Sequence, residues 1–195
     1  QLEPGRRTSI NCIYEDSKGR RWIGANNGLF LQDRNRQEFM TRGKLAGHVV
    51  RCVYEDKQGN IWIGTNNGLT KMSGNHFETY RHGEGNFPLA MNFITAITED
   101  KLGRLWVATQ TGGINIYDPA TGKFSLLAQP ALINNITRRV LRDKAGNMWV
   151  GTQEGLTIID PVTMTSRHYQ QESHNINSRS QNSIHSIYED NTGAI

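Results

Sequence analysis

The 195-residue sequence predicts an all-β protein built from repeated four-stranded units, and three observations carry that prediction. The first is self-similarity: residues 14–29 (YEDSKGRRWIGANNGL) recur as residues 54–69 (YEDKQGNIWIGTNNGL), return more loosely at 98–114 and 142–156, and begin a fifth time at Ser186. The second is spacing, since the tryptophans stand at 22, 62, 106 and 149, which are 40, 44 and 43 residues apart. The third is composition: 20 glycines against 5 prolines, without low complexity, imply many tight turns between strands that keep their ladder donors. A repeated four-stranded unit of about 40–45 residues is the period of a β-propeller blade.

Within the second copy, residues 49–54 form an apolar, β-branched first strand. Asp56-Lys57-Gln58-Gly59 then has Asp at the first and Gly at the fourth position of a type I turn. Residues 60–65 form a second strand carrying Trp62, and Asn66-Asn67-Gly68 supplies a hairpin that tolerates positive φ. Residues 69–72 and 76–80 are the third and fourth strands. Trp-Ile-Gly is apolar on consecutive positions, as expected of a strand covered on both faces by neighbouring blades. Its Gly leaves room for close approach between them. The predicted blades span about 8–42, 47–81, 92–128 and 135–170, with the first strand of a further blade at 183–195. In register, a fifth tryptophan falls immediately after Ile195, so the chain is expected to be an incomplete piece of a longer propeller. Asp118-Pro119-Ala120-Thr121-Gly122-Lys123 matches the turn between third and fourth strands, not a phosphate loop.

The formal charge of +4, with no run of five like charges and no zinc-ligand spacing, gives no case for nucleic acid. No apolar stretch approaches the roughly 20 residues of a membrane helix, and the first residues do not resemble a signal peptide.

Glu-Asp-x-x-Gly-x-x-Trp-Ile-Gly-Thr-x-x-Gly-Leu resembles the two-component-regulator propeller repeat over the whole chain. The resemblance implies seven-bladed propellers, usually two in tandem, in the extracytoplasmic sensor region of hybrid two-component systems, best known in gut Bacteroidetes. It further implies a following β-sandwich, membrane helix, histidine kinase and often a receiver and DNA-binding module, with oligosaccharides as the sensed ligands. None of the kinase, membrane or DNA-binding parts lies in these residues. The expected location is therefore periplasmic, and the fragment itself non-catalytic. The third copy departs from the pattern with Ala108 in place of Gly, and the fourth with Arg142 in place of Glu.

The repeated residues read as scaffold. Asp16, Asp56, Asp100, Asp143 and Asp190 are expected to cap their own turns; they lack the alternating oxygen ligands of a calcium loop and miss the sialidase Asp-box by one residue. Trp22, Trp62, Trp106 and Trp149 are expected in the core. Cys12 and Cys52 occupy matched positions where the third and fifth copies have Ala96 and Ser186, and are expected to be buried free thiols. The six histidines have no metal-ligand spacing, and no cofactor is implied.

Function is expected where the copies differ. The loops entering the innermost strands (41–48, 81–92, 128–135, 170–183) vary in length and polarity. Five residues before each turn Asp stand Asn11, Arg51, Thr95, Arg138 and His185, polar in every copy. They form either a ligand ring at the channel mouth, with the arginines pairing carboxylate or sulfate groups of an anionic oligosaccharide, or ordinary solvated residues at a loop edge. The leading expectation is a ligand-sensing binding module. The alternatives are a propeller lyase or glycoside hydrolase, and a protein-interaction scaffold. The expected partners are the oligosaccharide and the protein's own further blades or a second copy, with no nucleic acid and no membrane segment in the chain.

Overall fold

In the computed structural model, the described residues are 8–33, 36–40 (backbone), 45, 47–85, 89–170 and 182–195. Sixteen strands form four antiparallel four-stranded sheets. The first sheet holds β1 (Ile10–Glu15), β2 (Arg21–Ala25), β3 (Gly28–Asp33) and β4 (Arg36–Met40). The second holds β5 (Val50–Glu55), β6 (Ile61–Thr65), β7 (Gly68–Ser73) and β8 (His76–Tyr80). The third holds β9 (Ile94–Glu99), β10 (Leu105–Thr109), β11 (Ile114–Asp118) and β12 (Lys123–Leu127). The fourth holds β13 (Thr137–Arg142), β14 (Met148–Thr152), β15 (Leu156–Ile159) and β16 (Ser166–Tyr169). Each sheet is a simple meander, the order of a propeller blade. The expected turn at 118–123 is there: Ala120 N–H donates to Asp118 Oδ1 (2.9 Å) and Gly122 N–H to the Asp118 carbonyl (2.8 Å). Residues 182–190, where the first strand of a further blade is expected, are not in a strand.

The core lies between blades, not within them. One cluster joins Trp22, Leu29, Cys12 and Tyr14 of the first sheet to Val50, Val53, Ile61, Ile63 and Met72 of the second. A second layer packs Trp62, Leu69 and Cys52 against Ile94, Ile97, Leu105, Val107 and Tyr117. A third packs Trp106, Ala108, Ile114 and Ile116 against Val140, Met148, Val150 and Ile159. Trp22, Trp62 and Trp106 are fully buried as expected, whereas Trp149 is half-buried.

Each turn Asp does more than cap. Asp56 Oδ1 accepts the N–H groups of Gln58 (3.0 Å) and Asn60 (2.8 Å), while Oδ2 accepts the buried Trp62 indole N–H at 2.7 Å. The indole bond recurs from Trp22 to Asp16, Trp106 to Asp100 and Trp149 to Asp143, each at 2.8 Å. The turn thus places the tryptophan, and the indole adds to the backbone and Arg or Asn side-chain donors that satisfy the buried carboxylate. The closing glycines take the left-handed conformation the turn requires, with φ of +73° at Gly19 and +78° at Gly59.

Glutamates preceding the turn Asp stitch neighbouring blades. Glu55 accepts Ser17 N–H (2.6 Å), Glu99 accepts Lys57 N–H (3.0 Å) and Glu189 accepts Lys144 N–H (3.0 Å). Arg142 interrupts this series, since a guanidinium offers no acceptor to the turn of the third blade.

The first blade differs on the face it turns away from the second. Ile10 and Ile13 are 59% and 65% exposed, while their equivalents Val50 and Val53 are 0% and 7% exposed. Farther out, the cross-strand pairs Ile61–Met72, Leu105–Tyr117 and Met148–Ile159 are matched by Arg21–Gln32. This face is therefore apolar only near the axis.

Candidate functional site

The innermost strands β1, β5, β9 and β13 run side by side, and each is irregular at the same place. Ile10 pairs Ala25 and Cys12 pairs Gly24, so Asn11 is left without a partner. The same step leaves out Arg51, Thr95 and Arg138. These four residues, singled out in the sequence as polar at a strand start, are the extra residues of four equivalent β-bulges. A bulge bends its strand and re-aims the side chain it displaces. The entering loops and the hairpins between second and third strands share this end: Asn26 N–H donates to the Ser9 carbonyl (3.0 Å), Asn66 to Val49 (3.1 Å), Gln110 to Phe93 (2.9 Å) and Gln153 to Ile136 (3.0 Å). Most of the loops at 41–48 and 170–183 lies outside the described residues.

The bulge side chains reach the next blade. Asn11 Nδ2 donates to the Val50 carbonyl (2.8 Å), Thr95 Oγ1 to the Thr137 carbonyl (3.0 Å), and Arg138 Nε to Ser183 Oγ (3.0 Å). The Arg51 guanidinium lies over the Phe93 ring, 4.0 Å from its centroid. Its Nε is buried with no hydrogen-bond partner among the described residues. His185 is exposed. The five predicted residues therefore divide: Asn11 and Arg51 line an axial space of about 340 Å³, while Asn11, Thr95 and Arg138 are each bonded to the following repeat and His185 is outside the lining.

The rest of that lining is Cys12, Ile13, Cys52, Val53, Ala96, Ile97, Arg139 and Val140. Arg139 was not among the sequence candidates. Its signal was present in the chain: at the position held by Cys12, Cys52, Ala96 and Ser186, the fourth copy alone has a long cation. Cys12 is a half-buried free thiol and Cys52 a buried one. Burial pushes both thiols up, against smaller downward pulls from backbone N–H groups and Arg139. They are protonated packing groups, not nucleophiles.

Their packing role is specific. A Cβ on Gly24 would meet Cys12 Sγ at 2.5 Å and Val50 Cγ1 at 2.6 Å; on Gly64 it would meet Cys52 Sγ at 2.4 Å and Ile94 Cγ2 at 2.6 Å. In the third blade Ala108 pairs Ala96, and Thr137 takes the place of Val50 and Ile94. Where the middle strand has Ala, its two neighbours are smaller.

Among the described residues no group of His, Cys, Asp or Glu is placed to hold a metal ion. Among the described residues no Asp, Glu or His lines the axial space.

Residues 44–67, 88–111 and 131–154 match the two-component-regulator propeller family model. Each of these segments covers an entering loop, an innermost strand, the Asp turn and the Trp strand. No curated protein matches the sequence. Among solved structures, the chain is similar to the extracellular domain of a hybrid two-component system of B. thetaiotaomicron, with TM-score 0.78 and 27% identity; the match covers 94% of this chain and 26% of that one. It is also similar to the extracellular domain of a one-component system of the same organism, with TM-score 0.59 and 22% identity over 95% of this chain and 34% of that one. Virginiamycin B lyase from Staphylococcus aureus matches with TM-score 0.69 and 14% identity, over 86% of this chain and 57% of that one, a likeness of fold alone. Repeat, blade and match agree over three segments: residues 44–67, 88–111 and 131–154 match the two-component-regulator propeller repeat, each within one four-stranded blade.

Proposed function

We propose that this chain is a ligand-sensing segment of the extracytoplasmic propeller of a two-component sensor, and that it binds an oligosaccharide without transforming it. The observation that carries the reading is the row of bulges. Repeated Asp, Trp, Glu and Gly residues are consumed in building and joining blades. The residue that changes from blade to blade is the one the bulge displaces at the loop end of the axis, where variation costs the scaffold least. The family match and the extracellular setting of the similar domains support a sensor outside the cytoplasm. Among the described residues no helix is long and apolar enough to cross a membrane. A lining without carboxylate or imidazole favours binding over lyase or hydrolase chemistry, which needs a general acid or base at the substrate. In the same reading, a further blade of the protein covers Ile10 and Ile13 near the axis.

Calorimetric titration of the chain with a panel of neutral and acidic oligosaccharides, followed by chromatography of the ligand, tests this. The expected outcome is saturable binding of at least one oligosaccharide recovered intact. Cleavage of the ligand, or no binding across the panel, overturns it.

A further inference from the structure

The axial space holds two cations and no anion. Arg51 arrives from the β5 bulge and Arg139 from the following position on β13, with the Asn11 amide from β1 on the same lining. The acidic residues of the innermost strands stand at the opposite end. Glu55 and Glu99 are held there by the turn amides of the preceding blades, and Glu15 pairs with Arg21 at 3.2 Å. Ion pairs among the described residues include neither Arg51 nor Arg139. Arg51 is fixed by Phe93 on one face, yet its buried Nε–H has no acceptor among the described residues. A buried donor left open on a lining that also carries a second guanidinium is an arrangement an oxyanion completes, since guanidinium groups pair carboxylates and sulfates through parallel N–H bonds. Packing alone does not account for Arg139, because Cys, Ala or Ser fills the same position in the other copies.

We infer that Arg51 and Arg139 form an anion subsite at the loop end of the axis that takes a carboxylate or sulfate substituent of a glycan. This rests on the oligosaccharide-binding reading and narrows it to acidic ligands. Asn11, Thr95 and Arg138, already bonded to the following repeat, serve as struts of the rim and not as ligand donors.

The test uses the chain and three probes at low salt: sodium sulfate, digalacturonate and the neutral disaccharide cellobiose. Arg139 is exposed, so Arg139→Ala leaves the blades intact; Arg139→Lys keeps the charge but loses the fork. Arg167→Ala, an exposed cation on β16, is the control. Digalacturonate is expected to bind the native chain and the control alike, about tenfold more weakly to Arg139→Ala, and more weakly to Arg139→Lys as well. Arg51→Gln, checked for native fluorescence, is expected to weaken it too. Sulfate separates a general anion site from one that requires a sugar. Sulfate binding that depends on Arg139, with no sugar bound, keeps the subsite and removes the glycan reading. Equal binding of cellobiose and digalacturonate, indifferent to Arg139, overturns the subsite and leaves the glycan reading standing. No anion binding at all overturns the subsite.

Discussion

Gly64→Ala adds one methyl group at a place where the interior has no room for it. The new Cβ would lie 2.4 Å from Cys52 Sγ and 2.6 Å from Ile94 Cγ2. Both neighbours are buried, Ile94 at 0% exposure, so neither can swing into solvent. Forcing an extra carbon into a close-packed layer costs about 1–3 kcal/mol, and two simultaneous overlaps place this variant at the upper part of that range. For a chain of this size that is a fall in Tm of about 4–12 °C. Urea denaturation followed by tryptophan fluorescence, to which buried Trp62 contributes, measures it. The third blade supplies the decisive control, because there Ala108 faces Ala96. Cys52→Ala alone is expected to cost about 1 kcal/mol by leaving a small void. Combined with Gly64→Ala it removes the closer overlap, so the double variant is expected to be more stable than Gly64→Ala alone, with a favourable coupling of about 2 kcal/mol that exceeds the cost of the void. Adding Ile94→Thr, the counterpart of Thr137, rebuilds the third blade's layer more fully. Strict additivity of the single changes would refute the account of this layer as a shared volume.

Three further predictions follow from the blade joints. Asp56→Asn puts an amide N–H where Trp62 Nε1 must donate, so a loss of about 2–3 kcal/mol is expected in urea denaturation, with red-shifted tryptophan emission in the native state. Arg142→Glu restores the acceptor that Glu55, Glu99 and Glu189 provide elsewhere; the amide of Lys101 then gains a partner, and stability is expected to rise by about 0.5–1.5 kcal/mol in the same assay. Burial pushes the Asp16 and Asp143 carboxyls up, but indole and turn hydrogen bonds, and at Asp16 the Arg20 guanidinium, outweigh it and hold both below the usual carboxylate range. A carboxyl lowered by folding contributes fully above its unfolded pKa of about 3.9 and loses that contribution as pH falls through the folded value. Acid titration of stability is therefore expected to be flat above about pH 5 and to fall below about pH 4. Asp16→Asn is expected to flatten part of that acid limb, measured as the urea midpoint against pH.

Much of the architecture was legible because propeller blades are local. Each is a meander of neighbouring strands, so turn residues and apolar runs fix its strands without distant partners. The expected limits of the second copy shift by a residue or so against β5 to β8, for a local reason: the Asn60 N–H donates to Asp56 Oδ1, which delays β6 to Ile61. The glycine after Trp-Ile pointed correctly to close blade approach, and Cys12 and Cys52 to packing thiols, because these are questions of size at repeated positions.

The candidate site was legible only in part. Polarity at Asn11, Arg51, Thr95 and Arg138 picked out the four residues that the bulges displace, but a bulge adds a residue to one strand without altering the residue types that flank it. Which bulge side chains bond the next blade and which line the axis depends on partners about 40 residues away, such as Val50 for Asn11 and Ser183 for Arg138. Arg139 shows the same limit, since period-two alternation carried through the bulge assigns it to the wrong face.

The sequence by itself determined the period, the blade meander, the turn chemistry and the identity of the packing residues. All of these rest on contacts within one repeat or on the comparison of one repeat with the next. Tertiary structure decided the joints: the glutamate that bridges to the preceding blade, the paired volumes around Gly64, and the place of Arg51 and Arg139 on one lining. Those depend on how one blade is set against another, a rotation that close packing fixes and that no pattern within a single repeat encodes.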